Sequence, residues 1–349
     1  MRRVYLIGLL LLLAALAGLS VAAQPDLPAL AELEPGVWNT LEPGGETTCA
    51  TGTPYSFFVR PVQDSNNLLI YFQGGGACWN TFMCNVAGGT AMFDATVTDD
   101  DAYNSGLFDF DHPANPVTDY NVVFLPYCTG DVYTGGETVQ YSDSLTIEHQ
   151  GYTNTRAVLE WVYQNFEDPA QVFVTGSSAG SLGSIFHAAN IMENYPDARV
   201  VHLGDGFAGL LTETGEEDIA VWGLSKNYSE TLQQGEELPD VSFTNWLYLT
   251  TARAFPGNTL AQFTTAEDST QVLFYTLMGG TQADALSGIA DSVTLLAEEV
   301  PNFRYYIAPG SLHTVLPRPE FYTLETNGVT VRDWLAALLA GEDVENIAP

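Results

Sequence analysis

Basic side chains are what this sequence most conspicuously lacks. Its 349 residues include only ten Lys and Arg, and two of those, Arg2 and Arg3, stand at the very start. Asp and Glu number 43, so the formal net charge of −33 arises from missing bases rather than added acid. Charged residues make up 15% of the chain, against a usual ~25%. Nucleic acids are held by clustered Lys and Arg, so this scarcity argues against a nucleic-acid partner. Anionic polymers should be repelled at low salt for the same reason. Internal repeats and low-complexity linkers are also missing, which favours a single domain over residues 24–349.

Only one long apolar run occurs. It follows Met1-Arg2-Arg3, extends from Val4 to Leu19 and ends in Ser20-Val21-Ala22-Ala23. A basic start, an apolar stretch and a small-residue exit form the layout of a secretory signal peptide, residues 1–23. The alternative is an uncleaved anchor, since the run is just long enough to span a bilayer. Cleavage is the expectation, with a secreted product, extracellular or periplasmic, that has no stable membrane insertion. Cysteines are few but even in number: Cys49, Cys78, Cys84 and Cys128. In an exported chain this reads as two disulfides, with three connectivities available. Cys78 and Cys84 are close in sequence and are expected to pair, leaving Cys49 with Cys128. No spacing resembles a zinc site, and no His stands beside a Cys in the sequence.

Short apolar runs at 68–72, 121–125, 171–175, 199–203 and 303–307 are bounded by Gly, Pro or polar residues. Such runs suit strands buried on both faces, as in parallel sheets. Helical patterns at 151–166, 179–195, 269–278 and 330–340 lie between or after them. The alternation predicts an α/β fold: a mostly parallel sheet with helices on both faces. Two stretches, 81–116 and 210–256, fit no such pattern and are expected to be insertions above the strand ends. The second carries Trp222, Trp246 and Tyr248 and could cap a pocket.

The run at 171–175 leads directly into Gly176-Ser177-Ser178-Ala179-Gly180 and then a helix. This is the G-x-S-x-G nucleophile elbow in the strand–turn–helix context that the chemistry needs. Ser178 is therefore the candidate nucleophile. The N–H of Ala179, at the helix N-terminus, would face a developing oxyanion. Gly74-Gly75-Gly76, after an earlier strand, offers further donors at Gly75 and Gly76.

A general base after the Ser is expected at His313, in the loop following the last strand. His187 on the nucleophile helix and His202 within a strand read as packing residues, and His112 and His149 precede the Ser. Two carboxylates could orient His313: Asp205 after the strand at 199–203, and Asp268 ahead of a helix. The residue pattern alone leaves both open. Asp99-Asp100-Asp101 with Asp109 and Asp111 lacks the spacing of an EF-hand loop and reads as a solvated acidic loop rather than a calcium site. No metal is expected.

These motifs together resemble the pectin acetylesterase family, which includes the Notum deacylases. The likeness rests on Cys49-Ala50-Thr51-Gly52-Thr53-Pro54 and on Gly74-Gly75-Gly76 followed by Cys78 and Cys84. It continues through Asn115-Pro116, Tyr127-Cys128, Ser178-Ala179-Gly180, Asp205-Gly206, the run from Asp268 to Gln271, and His313. The resemblance implies an α/β-hydrolase-like serine carboxylesterase with a triad of Ser178, Asp268 and His313 and no cofactor. Asp205 and Gln271 would then be supporting residues. The implied partner is an ester substrate, most readily an acetylated polysaccharide. A deacylase for longer acyl chains is the alternative, and an inactive secreted carbohydrate- or lipid-binding protein is a third reading. The chain departs from the family pattern at Ala77, Trp79, Gly206 and Phe207, which puts the substrate in question.

Overall fold

Side chains along the strand Asn67–Phe72 alternate between two cores. Leu68, Ile70 and Phe72 enter one, and Leu69 and Tyr71 enter the other. A strand covered on both faces must be apolar at every position, so its sequence reads as a run rather than an alternation. This computed structural model describes residues 27–238 and 241–349; the expected signal segment lies outside the described residues.

Among the described residues the strands are β1 (Asn39–Leu41), β2 (Phe57–Arg60), β3 (Asn67–Phe72), β4 (Tyr120–Leu125), β5 (Glu137–Ser142), β6 (Leu145–His149), β7 (Gln171–Ser177), β8 (Arg199–Asp205), β9 (Thr259–Thr265), β10 (Phe303–Ala308), and the short paired β11 (Glu325–Thr326) and β12 (Val329–Thr330). Eight of them form one sheet in the order β1-β2-β4-β3-β7-β8-β9-β10. From β4 to β10 the pairs are parallel, while β1 and β2 add an antiparallel edge. The helices are α1 (Gly151–Asn165), α2 (Ala179–Asn194), α3 (Glu213–Ile219), α4 (Glu230–Gln233), α5 (Phe243–Ala254), α6 (Ser269–Leu277), α7 (Gln282–Glu299) and α8 (Val331–Ala340). One face of the sheet packs against α1, α2, α5 and α7 through Val158, Ile185, Leu247 and Val293. The other is covered by α8 and the excursion after β3, through Trp334, Leu335, Leu107 and Phe108. The mostly parallel sheet with helices on both faces is the expected α/β-hydrolase-like fold.

Two parts of the sheet architecture escape the sequence pattern. The edge pair β1–β2 is short, only three and four residues long. The separate hairpin β5–β6 is half exposed and polar, with a register shift between Gln140 and Ser142. Neither offers the long apolar run by which buried strands are recognised.

Parallel strands deliver their carboxyl ends to the same edge of the sheet, and that edge is where α/β folds place their sites. Here it gathers Gly74 after β3, Ser178 after β7, Asp205 at the end of β8, Asp268 after β9 and His313 after β10. The first part of the segment between β8 and β9, through α3 to Trp222, borders this edge, whereas α5 farther along packs on the sheet face. Among the described residues no helix is long and apolar enough to cross a membrane.

Candidate active site

Ser178 sits between β7 and α2 with φ 56° and ψ −119°, a conformation that costs a non-glycine residue on the order of 1–3 kcal/mol. The turn is held by hydrogen bonds from Ser178 N to the Asp205 carbonyl (2.7 Å) and from Ser181 N to the Ser178 carbonyl (2.8 Å). Both flanking glycines are sterically required. A Cβ on Gly176 would collide with the Gly180 backbone, and one on Gly180 with the Phe72 carbonyl. Helix and strand can therefore approach closely enough to thrust the hydroxyl outward.

His313 reaches this hydroxyl from the loop after β10. Its Nε2 lies 2.7 Å from Ser178 Oγ, and its Nδ1 lies 2.8 and 3.0 Å from the two oxygens of Asp268. Asp268 is fully buried and caps α6, its Oδ1 accepting from the N–H groups of Thr270 (2.9 Å) and Gln271 (3.0 Å). The Gln271 amide donates to Asp268 Oδ2 (2.8 Å) and to Thr264 Oγ1 (2.9 Å), and accepts from Ala208 N (2.7 Å). A carboxylate held by these three donors directs the imidazole proton to Nδ1, leaving the Nε2 lone pair for the Ser178 hydroxyl.

Asp205 has a different position. It is fully buried, accepts from Ser177 Oγ at 2.6 Å, and accepts from the N–H groups of Val315 and Leu316 at 3.0 Å. Burial raises its pKa to about 6, against the lowering effect of those hydrogen bonds. It thus ties the strand ahead of Ser178 to the loop that carries His313, without touching the imidazole. Tyr71 donates to Ser177 Oγ (2.9 Å) and extends the same network. Ser177 and Tyr71 carry no signal in the sequence beyond their neighbourhood.

Gly74, Gly75 and Gly76 pass directly beside the nucleophile. A Cβ on Gly74 would stand 2.8 Å from the Ser177 carbonyl and 3.1 Å from Ser178 Cβ, and Gly76 has φ 78°. Across from them the Ala179 N–H opens α2, where no intrahelical acceptor exists. The other histidines stand apart from this constellation. His187 Nε2 donates to the Tyr133 carbonyl (2.9 Å), and His202 Nε2 pairs with Ser184 Oγ (2.9 Å). Burial pushes them down to about 4 and about 3 respectively, so both remain neutral packing groups. His112 stacks on Tyr322.

Residues 41–235, more than half of the chain, match the family model described as Pectinacetylesterase. The chain belongs to the pectinacetylesterase family. It is 25% identical to pectin acetylesterase 5 of Arabidopsis thaliana over 155 residues, which are 44% of this chain and 36% of that protein. It is 26% identical to the palmitoleoyl-protein carboxylesterase notum1a of Danio rerio over 182 residues, 51% of this chain and 33% of that protein. The human palmitoleoyl-protein carboxylesterase NOTUM is 24% identical over 167 residues, covering 45% and 33%. The matched segment thus spans about a third of the length of these relatives. Within the pectinacetylesterase match lie the three glycines, Ser178 and Asp205. Asp268 and His313 lie beyond it and are brought to Ser178 by the fold.

Two cavities meet at Ser178 in this pectinacetylesterase-family chain. The first is closed in by apolar side chains, among them Trp79, Leu182, Leu211, Trp222, Phe274 and Met278. The segment between β8 and β9 supplies five of its apolar wall residues: Phe207, Leu210, Leu211, Ile219 and Trp222. The second is an open cleft lined by Gly74, Gly75, Asp94, Tyr103, His313 and Pro317. Sequence reasoning missed Asp94, which reaches the cleft through the bridge between Gly76 and Phe93.

The structure joins Cys78 to Cys84 and Cys49 to Cys128. His149, remote from the cysteines in sequence, packs against the first of these bridges. Both sulfurs are bonded to each other, and both ring nitrogens are engaged, with the Thr129 carbonyl and Tyr141 Oη at 2.8 Å each. The trio is a packing cluster. Cys78 accepts at its carbonyl from Trp222 Nε1 (3.0 Å), and its neighbour Trp79 lines the apolar cavity. The two bridges should therefore separate in their effects. Chain entropy assigns about 2 kcal/mol to a bridge closing a short loop of six residues and about 4.5 kcal/mol to one closing 79. Cys49→Ala/Cys128→Ala should cost more in urea midpoint, and Cys78→Ala/Cys84→Ala more in kcat/KM relative to stability. Equal activity losses at matched stability would remove the first bridge from the pocket's support.

Proposed function

We propose that this chain is a secreted serine carboxylesterase working through an acyl-enzyme. The observation that carries the reading is the Asp268–His313–Ser178 relay opening on an apolar cavity. Ser178 Oγ attacks the ester carbonyl as its proton passes to His313 Nε2. The carbonyl oxygen becomes an oxyanion facing the N–H groups of Ala179 and of Gly75 and Gly76. Collapse of this intermediate breaks the ester bond, and His313 returns the proton to the departing alkoxide. Water then enters, His313 takes its proton, and hydrolysis of the acyl-serine releases a carboxylic acid and restores Ser178. These residues supply every proton transfer the reaction requires. Disulfides persist in oxidising compartments, in keeping with export.

The acyl group enters the apolar cavity and the alcohol lies in the open cleft, which alone has room for a polymer. The twelve apolar residues that line the first cavity favour an acyl group longer than acetyl. Likeness to pectin acetylesterase 5 favours deacetylation of a polysaccharide as the second reading. A series of p-nitrophenyl esters from acetate to decanoate separates the two. Burying one methylene contributes roughly 0.8 kcal/mol, so kcat/KM should rise by up to about fourfold per carbon before levelling. A maximum at acetate with a steady fall thereafter would hand the acyl specificity to the deacetylase reading.

A further inference from the structure

Among the described residues lining the open cleft on the alcohol side of Ser178, Asp94 is the one carboxylate, and the reaction itself does not use it. Its backbone N–H donates to the Gly75 carbonyl (2.9 Å), fixing it to the glycine loop beside the nucleophile. A Cβ on Gly75 would stand 2.9 Å from Asp94 Oδ2, so the carboxylate lies directly against that loop. Tyr103 shares the wall, and its ring is anchored below by edge-on packing against Tyr71 and Phe124. Among the described residues, neither cavity at Ser178 has a Lys or Arg in its lining. No ion pair engages Asp94 among the described residues. Partial desolvation against the cleft wall, and then the nearby charge of Asp101, raise the Asp94 pKa above its ordinary value.

A carboxylate placed here has two physical consequences. It accepts hydrogen bonds from hydroxyl groups, and it repels any carboxylate that binds in the same cleft. We infer that Asp94 makes the cleft an alcohol subsite for neutral, hydroxyl-rich leaving groups and against uronic acids. The inference rests on the esterase reading and specifies its substrate on the alcohol side. Asp94 accepts from sugar hydroxyls flanking the ester oxygen, and the absence of a basic residue from the lining leaves a uronate uncompensated. A polyuronate, the backbone of pectin, is then the polymer that this family member handles poorly.

Coulomb's law sets the size of the discrimination. Two unit charges ~6 Å apart, at an effective dielectric between about 40 and 80, repel enough to change an equilibrium by roughly threefold to tenfold per uronate. Loss of a charge-assisted hydrogen bond from a sugar hydroxyl costs roughly tenfold, expressed mainly in KM.

The test compares acetylated xylo-oligosaccharides with acetylated oligogalacturonides at about 20 mM salt, where screening is weak. Wild type, Asp94→Asn and Asp94→Lys are assayed, and each rate is normalised to the same protein's turnover of p-nitrophenyl acetate. The exposed position of Asp94 makes both substitutions tolerable for folding, and the normalisation removes differences in active fraction. Wild type should prefer the neutral substrate. The galacturonide-to-xylan ratio of kcat/KM should rise roughly threefold to tenfold in Asp94→Asn and further in Asp94→Lys. In Asp94→Asn the xylan KM should rise with little change in kcat. A ratio unchanged within twofold across all three proteins overturns the subsite. A wild-type chain inert toward p-nitrophenyl acetate would strike the esterase reading itself, and the subsite with it.

Discussion

Replacing Ser178 by Ala is expected to lower kcat on any accepted ester by on the order of 10⁴–10⁶, the usual consequence of removing a triad nucleophile. The fold should survive. The Ser178 side chain contributes one hydrogen bond, to His313, while the turn is held by backbone bonds to Asp205 and Ser181. The unfolding midpoint in urea should therefore shift little, and the far-ultraviolet circular dichroism should be unchanged. Residual turnover of a tenth or more of wild type in the purified variant would exclude Ser178 as nucleophile.

The second large effect concerns the two buried aspartates, whose contacts assign them separate tasks. Asp268→Asn should lower kcat by roughly 10³–10⁴, because the new amide presents an N–H to His313 Nδ1 and disfavours the productive tautomer. The α6 cap should persist, since Asn accepts from the same backbone N–H groups. Asp205→Asn meets three donors with only one acceptor oxygen. It should cost about 1–3 kcal/mol of stability and loosen the His313 loop, with an activity loss below roughly a hundredfold. Steady-state kinetics and urea unfolding of both variants test the division. A greater kcat loss in Asp205→Asn, at equal folded fraction, would reverse the two roles.

The reason Asp205 and Asp268 could not be separated from their spacing is geometric. Each follows a parallel strand at the sheet edge where ligands bind, and each is buried. Only three-dimensional direction distinguishes them: Asp205 turns toward Ser177 and the Val315 backbone, Asp268 toward the imidazole. The elbow around Ser178, by contrast, is local, since Gly176 and Gly180 are needed for contacts within one strand–turn–helix unit. The buried strands were legible for a related reason, because double-sided burial imprints a continuous apolar run such as Leu68 to Phe72. β1 and β2, at the edge, and the half-exposed hairpin β5–β6 carry no such imprint. The irregular stretch from Leu210 to Pro256 read only as a candidate cap. Its patchy periodicity reflects short helices whose apolar residues face two directions, toward the sheet-side core through Leu247 and toward the cavity through Ile219 and Trp222. Asp94 was illegible altogether, because its place beside Ser178 depends on an isolated bridge between residues 76 and 93.

The acyl and alcohol sides of the site pose different physical problems, and the chain meets them with different residues. On the proposed reading, apolar walls would select the acyl group by area removed from water, whereas the carboxylate of a cleft with no Lys or Arg among its described lining residues would select the alcohol by charge. Net charge reinforces the second effect at long range, because only ten Lys and Arg oppose 43 acidic residues. Local and global electrostatics therefore point the same way.

Covalent labelling tests the central claim most directly. Incubation with a fluorophosphonate probe, followed by intact-mass measurement and peptide mapping, reads out which serine is activated. One adduct per chain is expected, on the peptide containing Ser178, with labelling suppressed in His313→Ala. A fully folded protein that takes up no probe, or carries it at another serine, would contradict the assignment of Ser178 as a nucleophile driven by His313.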